Sequence, residues 1–467
     1  MTRVFALLLL LATGLFARAQ KTWLIKDVTV IPMSTNKSLP HQAVVIRDGK
    51  ILQIGDAGKL KTVEDAVIID GKGKFLMPGL FDMHAHFFYE QGEYRNTCED
   101  ELKVMLANGL TTARILAGHP AYREAKSNIA SGKWIGPELF VASPQLVGRW
   151  PWPADFKNFE VVDTKEKAAE AVKRYKQEGY DAIKITFMIK RDVYDAIVKT
   201  AKEENIRVVG HVGPEVKLPA ALAAGEQVEH MDEFIEMLLP DTSYNHGQSV
   251  SDMNLWRKNA WATVPYLDES KIPALVKSVK DAGIYVSPTN YFFLSSFGEG
   301  MTDEEYKAKP DYPYIPKEIL KEKWDIKERY WKNAPAKESR EKYAYLRKKM
   351  TYELWKAGVP LMAGSDSPEW FLVTGFSIHD ELETFVKAGL TPFAALQTAT
   401  INPATWLGID KRTGTVETGK EANLLLLDKN PLDDIKNTRT ISGVFAAGKW
   451  YDKKAIDRLL EEVRKKI

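Results

Sequence analysis

The sequence is nearly without cysteine: Cys98 is the only one in 467 residues. An intramolecular disulfide and a zinc site built from thiolates are both excluded, so any metal must be held by imidazole, carboxylate or something less usual. Neither sign of charge is in excess. Lys and Arg number 65 against 63 Asp and Glu, for a formal net charge of +2. No global basic field draws such a chain onto nucleic acid or an acidic membrane, and nucleic acid is not expected as a partner. Beyond the amino terminus no apolar run reaches the roughly 20 residues that a membrane-spanning helix needs, so no transmembrane segment is expected in the mature chain. No Gly-x-Gly-x-x-Gly follows a strand signal, which counts against an open doubly wound sheet. Histidine is also scarce, at eight, and scarcity makes its placement informative.

What is present starts with a processing segment. Arg3 supplies a positive start, Val4 to Phe16 form a short apolar core, and Ala17-Arg18-Ala19 fits the small-x-small cleavage rule. Residues 1–19 are therefore read as a signal peptide cut before Gln20, and the protein as exported, periplasmic or secreted. No cysteine lies near the cut to carry a lipid.

The mature chain begins and ends in short strand signals. Ala43 to Arg47 and Lys50 to Ile54 flank Asp48-Gly49, a two-residue hairpin turn whose positions both need positive φ. Ala66 to Ile69, Ala422 to Asp428 and Val444 to Ala447 are similar runs. Neither group can bury both faces alone, so residues 20–78 and 413–452 are expected to pair into a small β-sandwich domain. Residues 453–467 read as a C-terminal helix.

Between them, short apolar strands alternate with amphipathic helices such as Lys165–Glu178 and Val193–Glu204, the pattern of a parallel sheet wrapped by helices. Eight strand candidates are Leu80–Met83, Thr111–Leu116, Leu139–Ala142, Ala182–Thr186, Arg207–Gly210, Gln227–Glu229, Ile284–Ser287 and Pro360–Ala363. The expected fold class is α/β, a TIM-type (β/α)₈ barrel over 79–412. Two insertions, Met231 to Val276 and Phe297 to Met350, exceed a single crossover helix. The second reads either as solvated helix on the barrel exterior or as a lid over the active face.

The chemistry concentrates at predicted strand ends, where this fold places its active sites. His84 and His86 end the first strand, and residues two apart on a strand point the same way. His211 follows Gly210, His230 follows Glu229, and Asp366 follows Ala363-Gly364-Ser365 after the last strand. Each histidine alone could be structural; four at the ends of strands around one cavity point to a metal site. Lys184 lies in the apolar run Ile183-Lys184-Ile185, where an unpaired ammonium is costly. It is either a snorkelling or salt-bridged lysine, or a neutral amine that has taken up carbon dioxide to form a metal-bridging carbamate.

Together these motifs resemble the amidohydrolase superfamily, in the group related to imidazolonepropionases and metal-dependent prolidases. The resemblance spans nearly all of the mature chain. It runs through the H-x-H strand, Ile183-Lys184-Ile185, Gly210-His211-Val212-Gly213, Glu229-His230, Ala363-Gly364-Ser365-Asp366, Ser377-Ile378-His379-Asp380-Glu381 and Ala399-Thr400-Ile401-Asn402-Pro403. It implies two divalent ions, zinc being the expected metal. His84, His86 and Asp366 would hold the more buried ion and His211 and His230 the more exposed one. Carboxylated Lys184 and a hydroxide would bridge them. Asp366 would also carry the proton from the attacking hydroxide to the leaving amine. A small-molecule or dipeptide substrate is the implied partner, and a homo-oligomer is left open.

Two departures bear on specificity. Relatives often show Thr-Thr-Val-Arg-Asp where this chain has Thr111-Thr112-Ala113-Arg114-Ile115-Leu116, and Gly148-Arg149-Trp150-Pro151-Trp152-Pro153 replaces a glycine- and histidine-rich loop of some prolidase-like members. The competing readings are a mononuclear deaminase, which would lack a bridging lysine and could use Glu215, and a non-catalytic exported binding protein. His119 and His379 could touch substrate or serve as cap and packing. His41 reads as structural, and His246 carries little signal.

Overall fold

The computed structural model describes residues 21–60, 63–88, 98–148, 158–186, 188–213, 215–240 and 261–467. The signal-peptide expectation, the Arg149–Pro153 loop and His246 lie outside the described residues.

The chain opens with β1 (Thr22–Val30), β2 (Leu39–Arg47), β3 (Lys50–Asp56), β4 (Val67–Asp70) and β5 (Phe75–Pro78). The β2–β3 turn has φ of 52° at Asp48 and 74° at Gly49, as the hairpin signal requires. β1 escapes simple alternation because its ladder to β2 is bulged beyond Ile25, next to Asp27 at φ 60°.

The middle of the chain supplies β6 (Leu80–Ala85), β7 (Leu110–Ile115), β8 (Glu138–Val141), β9 (Gln145–Val147), β10 (Phe159–Val161), β11 (Ala182–Ile185), β12 (Arg207–Gly210), β13 (Gln227–Glu229) and β14 (Val286–Ser287). These form a three-stranded sheet, β6-β7-β8, and a six-stranded sheet, β10-β9-β11-β12-β13-β14. All pairs within them are parallel. Isolated parallel bridges continue the order: Ala142 to Ala182 joins β8 to β11, Val286 to Leu361 follows β14, and Ala85 to Ser367 returns to β6. The architecture is α/β and TIM-barrel-like. The expected strand Pro360–Ala363 is corrected to a single bridge at Leu361, because Met362 N donates to Val286 O while Ala363 N turns to Thr398 O. β9 and β10, three residues each, extend the region after β8 and were too short to signal in sequence.

The carboxyl end adds β15 (Leu424–Leu427), β16 (Ile441–Ala446) and β17 (Lys449–Asp452). β15 lies antiparallel to β5, so the two chain ends share one eight-stranded sheet, ordered β17-β16-β15-β5-β1-β2-β3 with β4 on β1. Its strand pairing is continuous, not divided into two sheets. The helix Lys453–Arg464 follows, and Lys466 Nζ donates to Asp100 Oδ1 at 2.6 Å.

The second insertion forms helices Asp303–Ala308, Lys317–Lys332 and Lys337–Lys356. They are not merely solvated. Trp370 Nε1 donates to Tyr306 Oη at 2.9 Å, Lys323 Nζ donates to Pro368 O at 2.9 Å, and Trp324 packs on Phe371 with centroids 4.5 Å apart. The insertion thus sits on the loop that follows Asp366. Among the described residues no helix is long and apolar enough to cross a membrane.

Candidate metal centre

Two glycines allow the strand ends to converge. A Cβ at Gly210 would lie 2.0 Å from Ile185 O, so only glycine lets the end of β12 approach β11 and carry His211 toward Lys184. A Cβ at Gly364 would lie 2.6 Å from the His84 Cβ, so the segment leading to Asp366 can press against β6.

The tightest cluster is His84, His86 and Asp366, each offering a ligand atom within 4.8 Å of the others. Asp366 Oδ1 stands 3.3 Å from both His84 Nε2 and His86 Nε2. Its other oxygen is 3.7 Å from His230 Nδ1. The His230 ring lies 4.7 Å from His84 and 4.5 Å from His211, centroid to centroid. Four histidines and one carboxylate therefore occupy one buried region, with His211 and His230 joined to the triad through ring contacts.

Burial holds His84, His211 and His230 well below the ordinary imidazole range, aided in each case by the nearby Lys184 charge. Neutral imidazoles are the form that binds metal. Burial raises Asp366, but His84, His86 and Lys184 together outweigh it and hold the carboxylate below its usual value.

Lys184 is 1% exposed, and among the described residues its Nζ has no hydrogen-bond partner. Burial pulls the amine down to about 8, against the opposing charges of Glu229 and Asp366. Among the described residues the amine reaches neither solvent nor a carboxylate within bonding distance, which counts against the snorkelling and salt-bridged readings. A buried amine left without a partner beside these imidazoles is chemically suited to a place in a metal site.

Several residues that matter here were not read from sequence. Glu229 Oε2 lies 2.8 Å from His84 Nδ1, and Arg114 donates to Glu229 Oε1 at 2.5 Å. Asp82 accepts from Ser365 Oγ at 2.6 Å and from Ser365 N at 3.0 Å, tying β6 to the segment before Asp366; burial lifts its carboxyl to about 6. Thr289 Oγ1 is 2.6 Å from His230 Nδ1. The signal available in sequence was charge inside apolar strands: Arg114 and Glu229 each need a buried partner, and each supplies it to the other.

The remaining histidines separate cleanly. His119 caps the helix Pro120–Ala130 by accepting from Ala121 N at 3.1 Å. His379 is fully engaged, with Nδ1 2.9 Å from Thr438 Oγ1 and Nε2 3.1 Å from Asn108 O. His41 faces Asp27 at an exposed position. Glu215, the residue a mononuclear deaminase could use, is exposed.

Comparison with known proteins follows the same line. An ochratoxinase from Aspergillus niger is 23% identical, spanning 91% of this chain and 86% of that protein. A solved bottromycin amidohydrolase superposes with a TM-score of 0.71 at 21% identity, covering 95% of this chain and 90% of that one. A Xaa-Pro dipeptidase with methionine bound in its active site gives 0.65 at 20% identity, covering 92% and 100%. At such identities the structural likeness speaks for the fold. The family itself is shown by its sequence model, which matches residues 75–451: the chain belongs to the amidohydrolase family.

Proposed function

We propose that this protein is an exported, two-metal amidohydrolase that cleaves an amide or related C–N bond in a dipeptide or N-acyl amino acid. The observation that carries the reading is Lys184: a buried amine without a partner among the described residues, electrostatically in touch with His84, His211, His230 and Asp366. An amine lowered to about 8 has an appreciable neutral fraction near pH 7, the form that takes up carbon dioxide. In this reading the linked sheets close as a (β/α)₈ barrel, and the terminal sheet curls into a sandwich-like layer.

The donor set fits two divalent ions. His84, His86 and Asp366 would hold one, His211 and His230 the other, and carboxylated Lys184 would bridge them. When bound, such a pair would lower the pKa of water and polarise the scissile carbonyl. Asp366 accepts the proton of the attacking water at a carboxylate oxygen and delivers it to the leaving nitrogen. Glu229 keeps His84 turned toward Asp366, and Phe293, 5.4 Å from the His230 ring, helps to exclude water. The dipeptidase among the structural relatives supports an amino acid on one side of the scissile bond.

The test is a hydrolysis screen with zinc-loaded protein across N-acyl amino acids, Xaa-Pro dipeptides, lactones and phosphotriesters. Turnover is expected on the first two classes; metal-loaded protein inert on both would remove the substrate claim. Export is tested separately by mass spectrometry of the exported protein, whose N-terminus is expected at Gln20.

A further inference from the structure

Below the candidate metal site the barrel interior holds an ion pair closed off from solvent. Arg114, on β7, is 2% exposed, and Glu229, on β13, is 0% exposed. The guanidinium uses its fork fully. It donates from Nε to Met83 O at 2.6 Å and from Nη2 to Glu229 Oε1 at 2.5 Å, and it also bonds the Gln227 side-chain oxygen. The Trp406 ring covers it at 4.7 Å. Met83 immediately precedes His84, so one side chain grips both the backbone beside that histidine and the carboxylate that faces its ring.

Glu229 completes the connection. While Oε1 is held by Arg114, Oε2 lies 2.8 Å from His84 Nδ1. An imidazole that donates its Nδ1 proton to a fixed carboxylate keeps its lone pair on Nε2. Nε2 is the atom that stands 3.3 Å from Asp366 Oδ1. The orientation is thus set from beneath, by groups that are not themselves among the proposed ligands.

We infer that Arg114 is a positioning residue for the metal ligand His84, acting through Glu229 to fix the tautomer and direction of the ring. The competing role is packing alone. A buried ion pair is weak evidence for stability, because apolar groups of similar volume often replace one without loss. A single lysine could balance the charge of Glu229, but it could not bond Met83 O, Gln227 and Glu229 in one plane. The fork is used for direction, and direction matters at a ligand.

The inference rests on the proposed metal site, and its test reads metal binding instead of turnover. Purified protein is stripped with a chelator and reloaded with zinc or cobalt(II) as wild type, Arg114→Met, Glu229→Gln and the double variant. Each single variant is expected to bind its first zinc about 10–100-fold more weakly, the usual scale for losing a partner of a ligating histidine. The double variant should be no worse than the weaker single, because both act on one ring. The cobalt visible spectrum should change in all three. If a single variant fails to fold through its unpaired buried charge, the double variant, which removes both charges, decides the matter. A folded double variant with wild-type zinc affinity and an unaltered cobalt spectrum would overturn the positioning role alone. Wild-type protein that takes up neither metal would overturn the metal site and this inference together.

Discussion

His84 and His230 lie with ring centroids 4.7 Å apart, yet they are braced from different parts of the chain. His84 is held by the barrel itself: Glu229 from β13, Arg114 from β7, and the Asp82–Ser365 contacts that join its own strand to the segment before Asp366. The His230 backbone is bonded to β14 through Ser287 O at 2.8 Å, and its ring is held from the segment beyond that strand. Thr289, in left-handed backbone at φ 46°, offers Oγ1 to Nδ1. The short helix after Thr289 is pinned by Glu381, which accepts from Asn290 N at 2.9 Å and Tyr291 N at 2.6 Å. Arg347, from the insertion helix Lys337–Lys356, donates to Pro288 O at 2.9 Å and Asp232 Oδ1 at 3.0 Å and lies 4.0 Å over the Phe293 ring. The His84 side leans mainly on strands and on the segment before Asp366. The His230 side leans in addition on Arg347 of the helix Lys337–Lys356, so the two proposed ions should differ in how easily they are lost.

Asp366 is the seam, with one oxygen toward His84 and His86 and the other toward His230. The largest effect is expected there. Asp366→Asn keeps the shape and one coordinating oxygen but cannot accept the proton. Turnover should fall at least about 10²-fold, the lower scale for losing a general acid–base group, with the fold and much of the metal retained. Normal turnover with full metal, measured by steady-state kinetics and elemental analysis, would place the proton elsewhere. Lys184→Ala probes the same seam from the lysine. Bound metal should drop from about two ions toward one, and short carboxylic acids should partly restore activity by standing in for the carbamate. Unchanged metal content would return Lys184 to a structural role.

The two halves also differ in how far the sequence disclosed them. His84, His86 and Asp366, which the structure brings together, were legible from turn signals that put them at predicted strand ends, as were the candidates His211 and His230, while Lys184 stood out as a charge within an apolar strand. The bracing groups were not. Arg347 meets Asp232 and Asn290 across long sequence separations, and nothing local in Tyr343-Ala344-Tyr345-Leu346-Arg347 reports which face will be buried. Arg114 and Glu229 were visible as charges in apolar strands, yet their pairing depends on β7 and β13 facing across the interior. Among the strands, β5 was hidden because Phe75–Pro78 runs straight into Pro78-Gly79, which reads as a turn. The eighth strand is shorter than its apolar run suggests, since one bridge satisfies it while its neighbouring amides turn to other partners.

Arg347→Met sharpens the comparison by loosening only the His230 side. It is expected to weaken the second zinc by about tenfold, at the low end for outer groups around a ligand, while the first ion stays at wild-type affinity. A chelator titration that resolves two binding steps measures this. Equal weakening of both ions would mean that the two halves are one mechanical unit and that the distinction fails.

The smallest effect on chemistry is expected at His379, near Asp366 in sequence but outside both halves. Its ring nitrogens are taken by Thr438 Oγ1 and Asn108 O, so it joins the helix Ser377–Lys387 to the turn Ile435–Arg439 and cannot reach substrate. His379→Leu should leave turnover at pH 7 unchanged. It strands the Asn108 carbonyl, at a cost of about 1–3 kcal/mol in folding, while the Thr438 hydroxyl keeps its bond to Ile435 O. The pH dependence separates this from a catalytic role. Burial, helped by the Arg439 charge, holds the folded imidazole down to about 3. The unfolded chain therefore takes up a proton below about pH 6.5 that the folded chain refuses. Wild type loses about 1.4 kcal/mol per pH unit through this group as pH falls from there toward 3, and the leucine variant does not. The stability gap between them, read by denaturant titration, should be widest at pH 7 and nearly closed by about pH 5. A constant gap, or a variant that folds normally and turns over slowly, would move His379 from the frame of the barrel into its active site.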